Sequence, residues 1–226
     1  FFLPKSYLTF GILSILVSKK KKILFRRSLN YYQKEHNILK KIEIFLHNFT
    51  GYFITNSFAA RKDLINFERV KIKNTSVVYN YIKDITILKN KYKPKTVNFL
   101  CTANFHKYKN HNLILDTLFY FNQYEKNWKI YLLGNNKNLN KADIKSTAKA
   151  LKISKNIIFI KKLSKKFSFP YIKIGFLFSK YESLPNAIIE YTQRRIPTIA
   201  YDTGDIKKIL NKCGIVFKKN NPEIIA

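Results

Sequence analysis

From Val97 onward, the chain alternates short unbroken apolar runs with longer stretches in which apolar residues recur every three or four positions. The short runs, rich in Ile, Val, Phe and Tyr, predict strands, and the longer periodic stretches predict helices. Strand VNFLCTA leads to helix His111–Tyr124, and strand KIYLLG leads to helix Lys141–Leu151. Strand NIIFIK leads through a short helix to strand IGFLFS. Helix Asn186–Gln193, strand PTIAYD, helix Asp205–Leu210 and strand GIVFK complete the series. Runs without polar alternation belong to a sheet covered on both faces, so this part reads as a doubly wound α/β lobe with a parallel sheet. In such a lobe, ligands lie beyond the carboxyl ends of the strands, near the point where strand order reverses.

The earlier part carries the same alternation less regularly. It reads as a helix over Ser6–Val17, a lysine turn, a strand at Ile23–Phe25, a helix from about Gln33 to Asn48, strand YFIT, helix Ala59–Asn66 and strand TSVVYN. The pattern loosens at KDITILKNKYKPK, a polar stretch with Pro94 that reads as a connector. The boundary placed there divides the chain into residues 1–84 and 85–226. The apolar run from Tyr7 to Val17 is too short to span a bilayer. With Lys19–Lys22 after it, a signal-peptide core or an interfacial helix stays open, but a buried helix entering the following strand is the preferred reading. The chain begins at Phe1, has no methionine and stops in NNPEIIA, the opening of a helix, so truncation at both ends is expected.

Composition changes this picture in one respect. Lys and Arg number 43 against 13 Asp and Glu, a formal charge of +30. A nucleic acid or an anionic membrane is the usual partner of such a charge. The lysines are scattered through apolar segments, however, and Ile, Asn, Phe and Tyr are abundant, which points to base composition and not to a polyanion arm. No specific nucleic acid is expected, while peripheral contact with anionic lipid remains open. Cys101 and Cys213 share no metal-ligand spacing. Cys101 sits in an apolar run, as a buried reduced thiol would in a reducing compartment.

The stretch SKYESLPNAIIEYTQRRIPTIAYDTGD carries the most chemistry. After strand IGFLFS comes a loop with Glu182, then Pro185, a residue that pre-sets the first turn of a helix. Asn186 and Glu190 lie one turn apart on that helix, on a face beside Ala187 and Ile188, which should pack on the sheet. Glu190 by itself would read as a helix-edge carboxylate with a nearby cation. Two glutamates bracketing one strand-to-helix turn shift the balance toward contacts with a sugar and a second polyol such as ribose.

ESLPNAIIE resembles the signature of two glutamates separated by seven residues in the retaining glycosyltransferases of family four (glycosyltransferases group 1). IPTIAYDTGDIKKIL followed by CGIVF, the loop ANFHKYKNH and the strand KIYLLG resemble further pieces of that family in the right order. FRRSLNYYQ, YFITNSFAA and SVVYNYI resemble pieces that precede its interdomain linker. The resemblance implies the GT-B fold: two Rossmann-like lobes, here a partial acceptor-side lobe (1–84) and a nearly complete donor-binding lobe (85–226) without its last helices. It implies a glycosyltransferase that moves a sugar from a nucleotide diphosphate sugar to a hydroxyl acceptor, a glycan or a lipid-linked one. The setting would be surface glycan or lipopolysaccharide assembly in the cytoplasm, at or near the inner face of the membrane, without metal or cofactor.

By the same resemblance, Glu182 meets the donor sugar near the reacting carbon and Glu190 holds the ribose. Lys109 and the amides around Asn186 and Ala187 bind the diphosphate. His106 stands where the family has an arginine, and reads equally as a phosphate contact or an ordinary loop histidine. Further departures are Ser183, Arg195 and Asp205 where the family has glycines, and Lys161 where it often has one. Arg26 and Arg27 read as cleft-facing or as solvated surface charge. The resemblance puts the active site between lobes, which leaves open that the isolated chain is inactive. A basic nucleic-acid- or membrane-binding module and a GT-B nucleotide-sugar epimerase are the competing readings.

Overall fold

The computed structural model describes residues 4–17, 21–29, 33, 36–82, 95–135, 140–161 and 171–226. They divide into two compact units, Phe1–Tyr81 with Tyr181–Leu184, and Ile82–Lys180 with Pro185–Ala226. The connector and the short helix expected before IGFLFS fall on residues 83–94 and 162–170, outside the described residues.

In the first unit, α1 (Pro4–Val17), β1 (Ile23–Arg26), α2 (Asn37–His47), β2 (Tyr52–Thr55), α3 (Phe58–Glu68) and β3 (Thr75–Val77) follow in order. The strands form a parallel sheet in the order β1-β2-β3. Tyr7, Leu24, Leu46, Phe53, Leu64 and Val70 fill its core. Ser57 caps α3 by accepting from the Ala60 amide at 2.9 Å, which satisfies one of the donors a helix start leaves open. Helix α1 buries Tyr7 and Gly11 but leaves Phe10, Leu13, Leu16 and Val17 exposed, so the buried-helix reading holds for one side only. Among the described residues, no helix is long and apolar enough to cross a membrane.

Gln33 is helical as expected, His36 leaves the helical conformation (φ −128°, ψ 78°), and α2 begins at Asn37. Gln33 is buried, and its amide donates to Glu43 Oε2 at 2.8 Å. One expectation about this unit is corrected. Arg26 neither faces a cleft nor is solvated. It is 2% exposed, bonded to both oxygens of Glu68 at 2.8 and 2.7 Å and to Glu43 Oε1 at 2.8 Å. His47 Nε2 lies 2.7 Å from the same Glu68, and its Nδ1 lies 2.9 Å from the Tyr7 hydroxyl. A buried guanidinium needs this many partners, and α2 and α3 deliver them from distant positions in the chain.

The second unit contains β4 (Val97–Thr102), α4 (His111–Tyr124), β5 (Trp128–Leu133), α5 (Asn140–Ala150), β6 (Ile157–Ile160), β7 (Ile174–Leu177), α6 (Asn186–Gln193), β8 (Thr198–Tyr201), α7 (Ile206–Leu210), β9 (Gly214–Phe217) and α8 (Pro222–Ile225). All six strands are parallel, in the order β6-β5-β4-β7-β8-β9. Alternate residues of β4 feed two cores. Phe99 and Cys101 join Ile114, Leu118, Ile144 and Ala148 on one face, while Leu100 joins Ile188, Tyr191, Ile206 and Leu210 on the other. Helices therefore cover both faces, as the unbroken apolar runs require. Cys101 is fully buried, which pushes its thiol up to about 12, whereas Cys213 is exposed.

Candidate functional site

Strand order reverses between β4 and β7, the neighbours from which the chain winds outward in opposite directions. At their carboxyl ends two loops meet. After β4, residues Lys107–Lys109 form a tight 3-10 turn, and Asn110 enters α4 in the left-handed conformation (φ 57°). After β7, the chain passes through Phe178–Lys180 toward α6. The Lys180 amide donates to the Tyr108 carbonyl at 2.8 Å, fastening the second loop to the turn that carries Lys109.

Helix α6 is held against this edge from below. The Tyr191 hydroxyl accepts from the Thr102 amide at the end of β4, at 2.6 Å. A Cβ on Gly175 would stand 2.7 Å from the Tyr191 ring, so β7 can approach the helix this closely only as glycine. Pro185 precedes α6, and no side chain caps it. Its first-turn amides and positive dipole end are consequently presented at the strand-order switch, where an anion is favoured.

Five of the residues singled out in the sequence thus lie on these two loops and this helix. Asn186 is exposed and Ala187 is buried in the first turn of α6. Glu190 follows one turn on and is half-buried. Burial raises its carboxyl above the ordinary range, and Arg194 pulls it partly back. Lys109 closes the turn after β4, its Nζ 5.1 Å from the Tyr108 ring centre. His106 opens the same turn, stacked on Tyr108 at 5.3 Å and 14°. Glu182 falls in the tetrapeptide Tyr181–Leu184, which is part of the first unit. There the buried Ser183 hydroxyl donates to Asn56 Oδ1 at 2.7 Å and lies 2.6 Å from Ser57 Oγ. A serine in place of the family's glycine is explained by these bonds.

Sequence reading missed Tyr191 and the Arg26 network. Tyr191 stands four residues after Ala187, on the apolar face of α6, a spacing that could have flagged it. Glu43 and His47 are likewise one turn apart and buried with Leu46 on α2. Glu43, His47 and Glu68 have ligand atoms within 4.8 Å of one another, a metal-like grouping. Arg26 already occupies the carboxylates, so the grouping reads as a satisfied ion network.

The fold is α/β of the GT-B type, built from units with parallel sheets and helices. Residues 83–226 match the family described as glycosyl transferases group 1, and the chain belongs to that family. No curated protein matches it by sequence. Among solved structures, it resembles Anabaena HepE in complex with UDP-glucose, with 14% identity and a TM-score of 0.78. That match covers 99% of this chain and 65% of HepE. It also resembles a mutant of S. aureus TarM in complex with Fondaparinux, alpha-GlcNAc-glycerol and UDP (17% identity, TM-score 0.74, covering 98% of this chain and 45% of TarM). A third likeness is to WaaG, a glycosyltransferase involved in lipopolysaccharide biosynthesis (13%, 0.66, covering 90% and 63%). The chain thus spans less than two thirds of the length of these proteins. At such identities the likeness shows the fold.

Proposed function

We propose that this protein is a retaining glycosyltransferase that moves a sugar from a nucleotide diphosphate sugar to a hydroxyl of a glycan or lipid-linked acceptor. The observation that carries the reading is the pairing of the Lys109 turn with the uncapped start of α6 on adjacent parallel strands, tied together by the Lys180–Tyr108 bond. Lys109 and the Asn186 and Ala187 amides take the diphosphate, and Glu190 takes the ribose hydroxyls. His106 adds a second contact to the phosphates. Glu182 meets the donor sugar beside the reacting carbon.

In the transfer, the bond from the anomeric carbon to the diphosphate oxygen breaks, and the acceptor oxygen forms the new bond on the same face. The acceptor proton leaves with the departing diphosphate. Negative charge grows on the leaving oxygens, where a fixed ammonium and helix-end amides stabilise it without a metal. Surface glycan or lipopolysaccharide assembly is the proposed setting, supported by the likeness to WaaG, a glycosyltransferase involved in lipopolysaccharide biosynthesis. Peripheral contact of the +30 chain with anionic lipid on the cytoplasmic side fits that setting.

Glu182→Ala tests the catalytic assignment. A contact made mainly in the transition state leaves affinity for the sugar-free nucleotide unchanged while turnover collapses. Wild-type turnover in that variant would remove Glu182 from the reaction.

A further inference from the structure

At the strand-order switch, Phe99 of β4 pairs with Ile174 of β7 and Leu100 with Gly175, and the recorded pairing of the two strands ends there. β4 itself runs on to Thr102, in register with Leu133 of β5. Its last residues therefore need partners on the side that β7 has left. The Ala103 amide goes to the Leu133 carbonyl on β5. Successive amides of an extended chain point to opposite edges, so the Thr102 amide points to the β7 side.

What meets it there is a side chain from α6. The Tyr191 hydroxyl lies 2.6 Å from the Thr102 nitrogen and 3.4 Å from the Leu100 carbonyl oxygen. A phenol accepts from the one and donates to the other, as a neighbouring strand would. Burial, more than any neighbour, pushes this hydroxyl up, so it keeps the proton it donates. The ring reaches the strands because Gly175 has no side chain. A Cβ there would stand 2.7 and 2.8 Å from two of the ring carbons.

The bond joins the two halves of the proposed donor site. Glu190 precedes Tyr191 on α6, so the backbone that seats the phenol also carries the carboxylate. Thr102 ends β4, and the turn with Lys109 follows it. Ala187 and Ile188 hold α6 down through apolar contacts in the second core. Such contacts are non-directional and do little to fix where along the strands the helix stands. A hydrogen bond is directional and does fix it. Thr192 bonds back within the helix and Gln193 bonds the Ile82 carbonyl, whereas the Tyr191 bond reaches the sheet.

We propose that Tyr191 is a positioning residue of the donor site. Its hydroxyl, seated where β4 and β7 part, sets the separation of Glu190 from the Lys109 turn to that between the ribose and the diphosphate of one nucleotide. This rests on the donor reading above and adds to it a side chain that touches no ligand.

The test is calorimetric titration with UDP of the parent, Tyr191→Phe, Glu190→Ala and the double variant, each first shown by near-ultraviolet circular dichroism to be fully folded. Tyr191→Phe keeps the ring on Gly175 and removes only the hydroxyl. It should bind UDP about three- to tenfold more weakly at unchanged stoichiometry, as loss of one hydrogen bond does. In the Glu190→Ala background the same change should cost less than about twofold, because no carboxylate is left to place. A hydroxyl with a merely structural role would lower stability without that dependence on Glu190. If Tyr191→Phe does not fold, the parent alone decides. Linkage requires UDP to strengthen the Tyr191 bond by the factor by which that bond strengthens UDP binding. Saturating UDP should then slow proton exchange of the Thr102 amide about three- to tenfold more than that of Ala103, which β5 holds. The proposal is overturned by undiminished affinity in Tyr191→Phe, by an equal loss with and without Glu190, or by Thr102 and Ala103 amides that respond alike. A parent that binds no UDP, or a Glu190→Ala variant that binds as the parent does, would overturn the donor reading and this proposal with it.

Discussion

Arg195 shows at the scale of one residue why the family's pattern places a glycine before the Pro197 strand. It adopts a left-handed conformation (φ 56°) between α6 and β8, where a side chain crowds the backbone. Asn110 holds a similar position before α4, and asparagine tolerates it better than most residues. Arg195 is exposed, so replacing it removes strain without opening a cavity. Arg195→Gly is expected to raise unfolding free energy by about 0.5–1 kcal/mol, the relief of a left-handed L-residue less the entropy glycine loses on folding. Chemical denaturation measures this, and a destabilised variant would show that Arg195 holds an unseen contact. The places of Lys109 in the turn after β4 and of Glu190 on α6 were legible because apolar runs fix the elements on either side. The fate of Arg26 was not, because its partners Glu43 and Glu68 come from helices whose approach no local pattern announces.

At the scale of elements, β1, β2 and all six strands of the second unit announce themselves as apolar runs, and α4, α5 and α6 fall within a residue of the boundaries the spacing implies. The exception is His36, which leaves the helical conformation inside the stretch read as one helix, where the Gln33 side chain bonds Glu43. The same network gives the first unit a pH dependence. Burial alone would raise the Glu68 carboxyl, but the His47 hydrogen bond and the Arg26 guanidinium outweigh it and hold the group at about 2, against 4.5 ordinarily. A carboxyl lowered on folding contributes stability that is fully present above 4.5 and lost as pH falls through about 2. Unfolding of the first unit, followed by proton exchange of its amides, should therefore grow easier from about pH 4.5 downward. In Glu68→Gln that slope should flatten, on a fold already weakened by loss of the ion pair. An acid slope unchanged by the substitution would place the proton uptake elsewhere.

At the scale of the molecule, the second unit brings together the Lys109 turn and the start of α6, the two elements proposed to take the diphosphate, at a strand-order switch inside a chain of formal charge +30. General positive charge would attract any polyanion and lose that attraction to salt. A built nucleotide site instead depends on particular side chains, and this difference separates a glycosyltransferase donor lobe from an unspecialised basic protein. Calorimetric titration with UDP, the nucleotide named in the HepE and TarM complexes, tests the distinction directly when the parent is compared with Lys109→Ala and Glu190→Ala. The account predicts saturable one-to-one binding that each substitution weakens by about 1.5–3 kcal/mol, the range for hydrogen bonds to charged groups. Undiminished affinity in both variants, or binding that vanishes with added salt alike in all three proteins, would contradict it.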